Sequence, residues 1–283
     1  MSHRTAHNGV AVPGFIYGTA WKKDMTQNLV ESAVEAGFRG IDTANQLIHY
    51  YEVGVGQALR KLADKGFNRR DFFLQTKFTP SGAQDHRTPY DASADLATQV
   101  TQSFESSLEH LGTDYIDSYI LHGPYGRNGL AEEDFAVWLT MESFLAAEQT
   151  KMIGISNVTS QQLLQLCEQA AVKPMVVQNR CFAVTGWDKE VRAICAEHNI
   201  IYQGFSLLTA NHHVLNAPMV ASVAQRLETG PAQVIFAFAQ AIGILPLTGT
   251  TSSLHMREDL GALEFKLSAE EMRQVEMIGL QSA

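Results

Sequence analysis

The stretch MIGISNVTSQQLLQLCEQAAVKPMVVQ, residues 152–178, contains a candidate strand, a helix and a second strand in that order. Its two apolar runs, Met152–Ser156 and Met175–Gln178, have the length of strands. Between them, Ser160–Ala170 has a helical pattern that follows a hydroxyl cap at Thr159. Strands joined through a helix pair in parallel, because a parallel neighbour needs a long crossover. The stretch is therefore predicted to be one β–α–β unit.

The same alternation recurs on both sides of this unit. The other candidate strands are Phe15–Gly18, Gly40–Asp42, Phe72–Lys77, Ile116–His122, Ile200–Gly204 and Ile244–Thr248. The other candidate helices are Thr26–Ala36, Glu52–Ala63, Asp91–His110, Ala131–Ala147, Lys189–His198 and Pro231–Ala241. No Ser/Gly-rich or Pro-rich linker divides the series. This pattern favours a closed (β/α)8 barrel that forms one domain over residues 1–283, with a doubly wound open sheet as the main alternative.

Composition and charge exclude several classes of protein. Among the 283 residues, 30 acidic and 21 basic side chains leave a net charge of −9, which argues against a broad nucleic-acid surface. No apolar run approaches the ~18 residues of a membrane span, and the first residues lack the apolar core of a secretory leader. Cys167, Cys181 and Cys195 are odd in number and form no CxxC pair. We therefore expect buried, inert thiols in a cytoplasmic protein.

Three familiar catalytic or binding motifs are incomplete. Gly54-Val55-Gly56 lacks the third glycine of a dinucleotide-binding loop, because Leu59 stands there. Gly154–Val158 lacks the final glycine of a serine-hydrolase elbow. No HExxH motif occurs, and His212-His213 has no carboxylate or thiolate near it in sequence, so we predict no metal site.

Polar residues end four of the candidate strands: Asp42, Lys77, His122 and Gln178. Each has an ordinary structural explanation, such as capping a turn, a solvated strand end or a hydrogen-bonded core histidine. The carboxyl ends of parallel barrel strands nevertheless meet on one face, where barrel enzymes carry their active sites. An acid, a lysine, a histidine and a nearby tyrosine on that face would form a set with catalytic chemistry.

Several segments, in order and spacing, also carry a family resemblance. They are Asn8-Gly9-Val10 with Pro13, Gly18-Thr19-Ala20-Trp21, Gly37–Ala44, Thr76-Lys77, Leu121–Pro124, Gly154–Asn157 and Val177–Asn179. Together they resemble the aldo-keto reductase superfamily, almost from end to end. The resemblance implies a TIM barrel with an N-terminal β-hairpin and an extra C-terminal helix, for which Ser268–Met277 is the candidate. It also implies NAD(P)H-dependent reduction of aldehydes or ketones to alcohols.

The resemblance implies a catalytic tetrad of Asp42, Tyr50, Lys77 and His122. Hydride transfer to a carbonyl creates an alkoxide that needs a proton, and a free tyrosine, with a pKa of about 10, supplies one poorly. We expect the Lys77 ammonium to lower the pKa of Tyr50, Asp42 to hold Lys77, and His122 to orient the carbonyl oxygen.

The tyrosine loop departs from the common pattern. Leu47 stands where most of the superfamily has the tyrosine, and alignment on Glu52 brings His49 to that position instead. Relatives with a similar HYxE variant favour Tyr50, and Tyr51 is the alternative. The sequence also leaves open that this chain is a non-catalytic member of the superfamily.

The resemblance also implies a dinucleotide site. Residues of the strand ends and the loops after them would bind the nicotinamide half: Gly18, Thr19, Ser156, Asn157, Gln178, Phe205, Ser206 and Leu208. Residues of the Pro246–Asp259 segment would bind the adenosine half: Gly249, Thr250, Thr251, Ser252, His255, Glu258 and Asp259. Leu247 and His255 replace the usual lysine and arginine of that segment. NADPH is the cofactor that the resemblance implies. Because a 2′-phosphate needs charged donors, the two replacements leave NADH as the alternative.

Trp21, Tyr51 and Tyr125 are the candidates for an aromatic substrate entrance, which suits a small-molecule hydrophobic aldehyde or ketone. Few residues follow Ser268–Met277, so we expect an open site of broad selectivity without a C-terminal lid. The chain is expected to act as a monomer or weak homo-oligomer, without a nucleic-acid or membrane partner. A cofactor-binding barrel with a regulatory or interaction role is the alternative function.

Overall fold

Eight parallel strands close into a barrel in the computed structural model, which describes residues 3–281. The hairpin strands β1 and β2 are His3–Thr5 and Ala11–Pro13. The barrel strands are β3 Ile16–Gly18, β4 Gly40–Asp42, β5 Phe73–Phe78, β6 Ser118–Leu121, β7 Ile153–Ser156, β8 Val176–Arg180, β9 Ile201–Phe205 and β10 Leu245–Thr248. β10 pairs with both β3 and β9, which closes the ring. The barrel prediction is confirmed, and the open-sheet alternative is wrong.

Helices follow the strands as the alternation predicts. They are α1 Thr26–Ala36, α2 Glu52–Asp64, α3 Leu96–Leu111, α4 Glu132–Ala146, α5 Ser160–Gln169, α6 Lys189–Glu197, α7 His212–Leu215, α8 Pro218–Arg226, α9 Pro231–Ala241, α10 Ser253–Gly261 and α11 Ala269–Leu280. The helix predicted from Asp91 begins at Leu96, because the Asp95 side chain accepts a hydrogen bond from the Thr98 amide and caps it. The α7 and α8 helices were missed, although Pro218 at the first position of α8 is a typical start.

Alternation along the strands divides the buried residues into two layers. The outward residues pack against the helices. The inward ones fill the barrel, with Ile16, Phe73 and Val176 packed on Ala6 and Val12 of the hairpin segment at the end where the strands begin. Towards the opposite end the interior becomes polar. A buried apolar layer therefore fills the barrel below the end where the strand-end side chains lie.

The three cysteines are free and buried. Burial raises the pKa of the Cys181 thiol to about 12, which keeps it protonated and unreactive. Between residues 3 and 281, no helix has both the length and the apolar character needed to cross a bilayer.

Candidate active site

A buried ion pair lies at the end of the barrel where the strands finish. The Nζ of Lys77, on β5, is 2.7 Å from each carboxylate oxygen of Asp42, the last residue of β4. It also donates to the carbonyl oxygen of Thr43 at 2.7 Å. Burial lowers the pKa of Lys77, and the Asp42 charge opposes that shift. The ammonium is therefore held in one position by three acceptors and has no contact with bulk water.

Tyr50 lies beside this pair, on the loop before α2. The Lys77 Nζ is 5.1 Å from the centroid of its ring, and the His122 ring centroid is 5.8 Å away. Removal from water and the charge of Asp42 raise the pKa of Tyr50. The expected lowering of the pKa of Tyr50 is thus wrong for this structure, because desolvation and the Asp42 charge both act in the opposite direction. Tyr50 keeps its proton, which is the state that a proton donor requires.

His122 follows β6 and faces Tyr50. Its Nδ1 is 2.7 Å from the Thr79 hydroxyl. Burial, and then the charge of Lys77, lower the pKa of His122 well below its ordinary value, so the imidazole is neutral. Donation from Thr79 to Nδ1 would place the ring proton on Nε2, which is then available to a carbonyl oxygen.

Tyr51 has a different environment. It precedes the first residue of α2, and a Cβ on Gly54 would meet its ring at 2.8 Å, so the ring packs against the helix. Tyr51 does not line the cavity described next, whereas Tyr50 does. Of the two adjacent tyrosines, the structure thus brings Tyr50 to Lys77 and His122.

A cavity of about 1300 Å³ opens above these residues. Most of the predicted site residues line it: Gly18, Trp21, Asp42, Tyr50, His122, Tyr125, Ser156, Asn157, Gln178, Phe205, Ser206, Leu208, Gly249, Thr250, His255, Glu258 and Asp259. Thr19, Tyr51, Lys77, Thr251 and Ser252 do not line it. Lys77 lies behind Asp42 and Tyr50, and Ser252 caps α10 by accepting a hydrogen bond from the His255 amide.

The ends of β7 and β9 carry unusual backbone conformations at the cavity wall. Asn157 and Ser206 have φ of 57° each, in the left-handed region that residues other than glycine seldom adopt. The Asn157 Nδ2 donates to the His122 carbonyl oxygen at 2.8 Å, and the Ser156 hydroxyl donates to the Gln178 carbonyl oxygen at 2.6 Å. These bonds connect three neighbouring strand ends, so the polar side chains there are held in fixed positions.

The part of the cavity that is predicted to bind adenosine lies at the start of α10. Asp259 is buried, and its carboxylate accepts hydrogen bonds from Gln233 at 3.0 Å and Thr248 at 2.8 Å. Burial raises the pKa of Asp259. Both of its oxygens thus have partners within the protein, and Glu258 is the acid that faces solvent. The loop before α10 presents Gly249 and Thr250 near a helix N-terminus, which favours anionic groups.

Four residues of this region were not singled out from the sequence. Lys22 is buried and lines the cavity, and its Nζ donates to the carbonyl oxygen of Gly249, which follows the neighbouring strand β10. The sequence signal that could have identified Lys22 is its position directly after Trp21, a predicted site residue. Arg180 lines the same cavity. Gln75 and Gln203 lie deeper, and only tertiary structure joins them to Asp42 and Gln178.

The chemistry of the cavity fits a reduced dinucleotide. The described residues offer an acceptor at Gln178, an aromatic surface at Phe205, a cation at Lys22 and a helix N-terminus at α10, in one continuous space. Within residues 3–281, no group of three or more metal-ligating side chains could hold an ion. The arrangement is that of an oxidoreductase site at the mouth of a barrel.

Comparison with known proteins agrees with this class. A sequence model described as "Aldo/keto reductase family" matches residues 14–279. The uncharacterized oxidoreductase YtbE of Bacillus subtilis is 30% identical over 97% of this chain and 91% of its own length. A 9,11-endoperoxide prostaglandin H2 reductase of Trypanosoma cruzi is 30% identical over 96% of this chain and 89% of its own.

Solved structures share the fold. An aldo/keto reductase from Brucella melitensis superposes with a TM-score of 0.83 at 25% identity, and the match covers 98% of this chain and 99% of that one. The aldo-keto reductase AKR2E5, solved with NADPH, also has a TM-score of 0.83, at 22% identity, and the match covers 98% of this chain and 87% of its own. The chain therefore belongs to the aldo/keto reductase family and is an oxidoreductase.

Proposed function

We propose that this protein reduces aldehydes or ketones to alcohols, with Tyr50 as the proton donor. The observation that carries the proposal is the position of Tyr50, which lies at the cavity wall between the Lys77–Asp42 pair and His122. A bound reduced nicotinamide would supply the hydride. The chain's own part is to orient the carbonyl, to provide the proton and to exclude water.

Each polar residue has a distinct part in this reaction. His122 is neutral and would donate a hydrogen bond from Nε2 to the carbonyl oxygen. Tyr50 would transfer its hydroxyl proton to that oxygen as negative charge develops on it. The raised pKa of Tyr50 keeps the phenol protonated before the reaction but makes it a weaker acid. The nearby Lys77 ammonium would offset this by stabilising the phenolate that remains afterwards.

The substrate class follows from the walls of the cavity near Tyr50. Trp21 is 65% exposed and packs on His49, with ring centroids 4.0 Å apart. Tyr125 and Pro124 lie on the His122 side. These surfaces suit a hydrophobic aldehyde or ketone that enters from solvent, which is the substrate class that we propose.

NADPH is the cofactor that we propose, with NADH as the alternative. Leu247 leaves the adenosine segment without its usual lysine, but the buried Lys22 ammonium reaches Gly249 from the loop after the neighbouring strand β3. Burial lowers the pKa of Lys22, and a bound phosphate would favour its charged form. Lys22→Ala should weaken binding of reduced dinucleotide about tenfold, a loss of about 1.4 kcal/mol, in a fluorescence titration.

Lys23→Ala is the matched control for that titration, because Lys23 is the adjacent lysine and is exposed. Equal dissociation constants for the two variants would contradict the assignment of Lys22. Both variants are titrated with NADPH and with NADH, which differ only in the 2′-phosphate. A loss of affinity for NADPH alone would mean that Lys22 contacts the 2′-phosphate, and an equal loss for both would mean that it contacts the pyrophosphate.

An assay of carbonyl reduction, followed through oxidation of the nicotinamide cofactor, tests the proposed reaction. Purified protein is incubated with NADPH or NADH and a panel of aromatic and aliphatic aldehydes and ketones, and loss of nicotinamide absorbance is followed. Tyr50→Phe should lower kcat by about 10²–10⁴, while the affinity for the cofactor stays close to that of the unmodified protein. Tyr51→Phe is measured beside it, and a loss confined to that variant would move the proton donor to Tyr51. Cofactor binding without turnover of any carbonyl would favour the alternative function, a cofactor-binding barrel with a regulatory or interaction role.

A further inference from the structure

Three glutamines form a hydrogen-bonded cluster around Asp42 inside the barrel. Gln75 of β5, Gln178 of β8 and Gln203 of β9 are each at most 3% exposed. The Nε2 of Gln75 donates to Asp42 Oδ1 and to Gln203 Oε1, both at 2.7 Å. Gln203 Nε2 donates back to Gln75 Oε1 at 3.0 Å. The Gln75 and Gln203 amides are therefore paired reciprocally, and Asp42 anchors one side of the pair.

Gln178 joins this cluster through its nitrogen. Its Nε2 donates to Asp42 Oδ1 and to Gln203 Oε1, both at 3.0 Å. An amide nitrogen has two N–H groups, so both are used inside the barrel. Of the three glutamines, only Gln178 lines the cavity. The polar group that it can offer to a ligand is consequently its carbonyl oxygen, Oε1.

The direction of each amide is determined by its neighbours. A carboxylate only accepts hydrogen bonds, so Gln75 and Gln178 must both turn their nitrogens to Asp42. The Gln203 oxygen then accepts from both glutamines, and its nitrogen must return to Gln75. Reversal of the Gln178 amide would turn its oxygen towards two other acceptors, Asp42 Oδ1 and Gln203 Oε1, and would leave that buried oxygen without a donor. That arrangement is costly in a buried site.

We propose that Gln75 and Gln203 are positioning residues that keep the Gln178 oxygen directed into the nicotinamide site. There it selects a ligand that carries a hydrogen-bond donor, such as a carboxamide, over one that carries a carboxylate. The inference rests on the proposed function, because it assumes a nicotinamide dinucleotide as the ligand. It adds two residues that do not touch the ligand and that act on it only through Gln178.

Binding to a carboxylate analogue tests the direction of the Gln178 amide. NADPH and reduced nicotinic acid adenine dinucleotide phosphate differ in that a carboxylate replaces the carboxamide. The full-length protein should bind NADPH at least about tenfold more tightly than the analogue in a fluorescence titration, because two acceptors would face each other in the analogue complex. Equal affinities, or tighter binding of the analogue, would overturn the inference.

Variants of the two positioning residues test their part. Gln203→Met and Gln75→Met remove the donors and acceptors of the reciprocal pair while keeping side-chain length. Each should reduce the NADPH-to-analogue affinity ratio about three- to tenfold. Gln203→Met removes one of the two acceptors that orient the Gln178 nitrogen, and Gln75→Met removes the partner that fixes the direction of the Gln203 amide. Gln99→Met is the matched control, since Gln99 is a buried glutamine of α3 that bonds to Ala92 and Ala94 outside the barrel. A ratio unchanged in both folded barrel variants would contradict the proposal.

The readout separates this inference from the proposed reaction. Selective NADPH binding without carbonyl turnover would leave the amide cluster supported and would overturn the reductase assignment. Carbonyl turnover together with an unchanged affinity ratio in the variants would support the reductase assignment and overturn the role of the amide cluster. If neither barrel variant folds, the comparison of NADPH with its analogue on the unmodified protein still decides the direction of the Gln178 amide.

Discussion

The two faces of β5 carry two buried carboxylate clusters of different character. On the inner face, Lys77 pairs with Asp42 inside the barrel. On the outer face, the neighbouring residue Thr76 donates a hydrogen bond to Glu52 of α2. Both carboxylates are 3% exposed, and the two clusters are separated only by the thickness of one strand. They differ in the basic side chain that accompanies each carboxylate, which is Lys77 at Asp42 and His110 at Glu52.

The inner basic side chain is shielded from solvent, and the outer one is partly exposed. Lys77 is fully buried, whereas the His110 ring, 3.1 Å from the Glu52 carboxylate, is 28% exposed. Ser107 supplies another donor to Glu52 at 3.1 Å. The hydrogen bond to Glu52 raises the pKa of His110. The inner cluster is thus suited to proton chemistry, and the outer one stabilises the loop and helix that hold Tyr50, in a manner that responds to pH.

Close helix packing makes the outer cluster possible. A Cβ on Gly56 would clash with the carbonyl oxygen of His110, so only glycine lets α2 approach α3 this closely. Glu52 lies one turn before Gly56 on the same helix. The approach that Gly56 permits therefore brings the Glu52 carboxylate within reach of Ser107 and His110.

Breaking the inner cluster should have the largest effect. Lys77→Met leaves the buried Asp42 carboxylate without its cation and removes the charge that stabilises a Tyr50 phenolate. We expect a loss of about 3–5 kcal/mol in the free energy of unfolding and of about 10²–10⁴ in kcat. Urea unfolding and the carbonyl reduction assay measure the two. Near-normal turnover in a folded variant would rule out Lys77 as part of the proton-transfer site.

Breaking the outer cluster should affect stability more than chemistry. Glu52→Gln removes the charge that Thr76, Ser107 and His110 share, so we expect a loss of about 1.5–3 kcal/mol in the free energy of unfolding. The loss in kcat should be far smaller than in Lys77→Met, because Glu52 does not line the cavity. A kcat that falls as far as in Lys77→Met would mean that the two faces of β5 form one functional unit.

The smallest expected effect is that of His110 on the pH dependence of the free energy of unfolding. The raised pKa of His110 means that its contribution is complete below the unfolded pKa of about 6.5 and is lost as pH rises through the higher folded pKa. Its exposure limits that contribution to less than about 1 kcal/mol. His110→Gln should flatten the fall of unfolding free energy across this range, and His7→Gln, in an exposed turn, should not. Identical pH profiles for His110→Gln and the unmodified protein would contradict the assignment of His110.

The alternation of apolar runs and helical patterns was enough to predict the barrel, because a parallel neighbour requires a crossover at every step. The boundaries of α1 and α9 agree with the structure, whereas α3 begins later than predicted because a local cap at Asp95 decides its start. The order of the motifs led to the family, and the family model confirmed it. The organisation as one domain over residues 1–283 stays a prediction.

Within the site, the sequence by itself located Asp42, Lys77, His122 and Gln178 within two residues of the strand ends, because the carboxyl ends of parallel barrel strands meet on one face. Asp42 ends β4 as predicted, whereas β5, β6 and β8 end at Phe78, Leu121 and Arg180. The sequence did not determine which tyrosine faces Lys77 and His122, nor the direction of the pKa shift at Tyr50, because desolvation depends on the whole surrounding structure. Lys22 on Gly249 and the glutamines around Asp42 join residues far apart in the chain. Such contacts exist only once the barrel closes, so tertiary structure alone decided them.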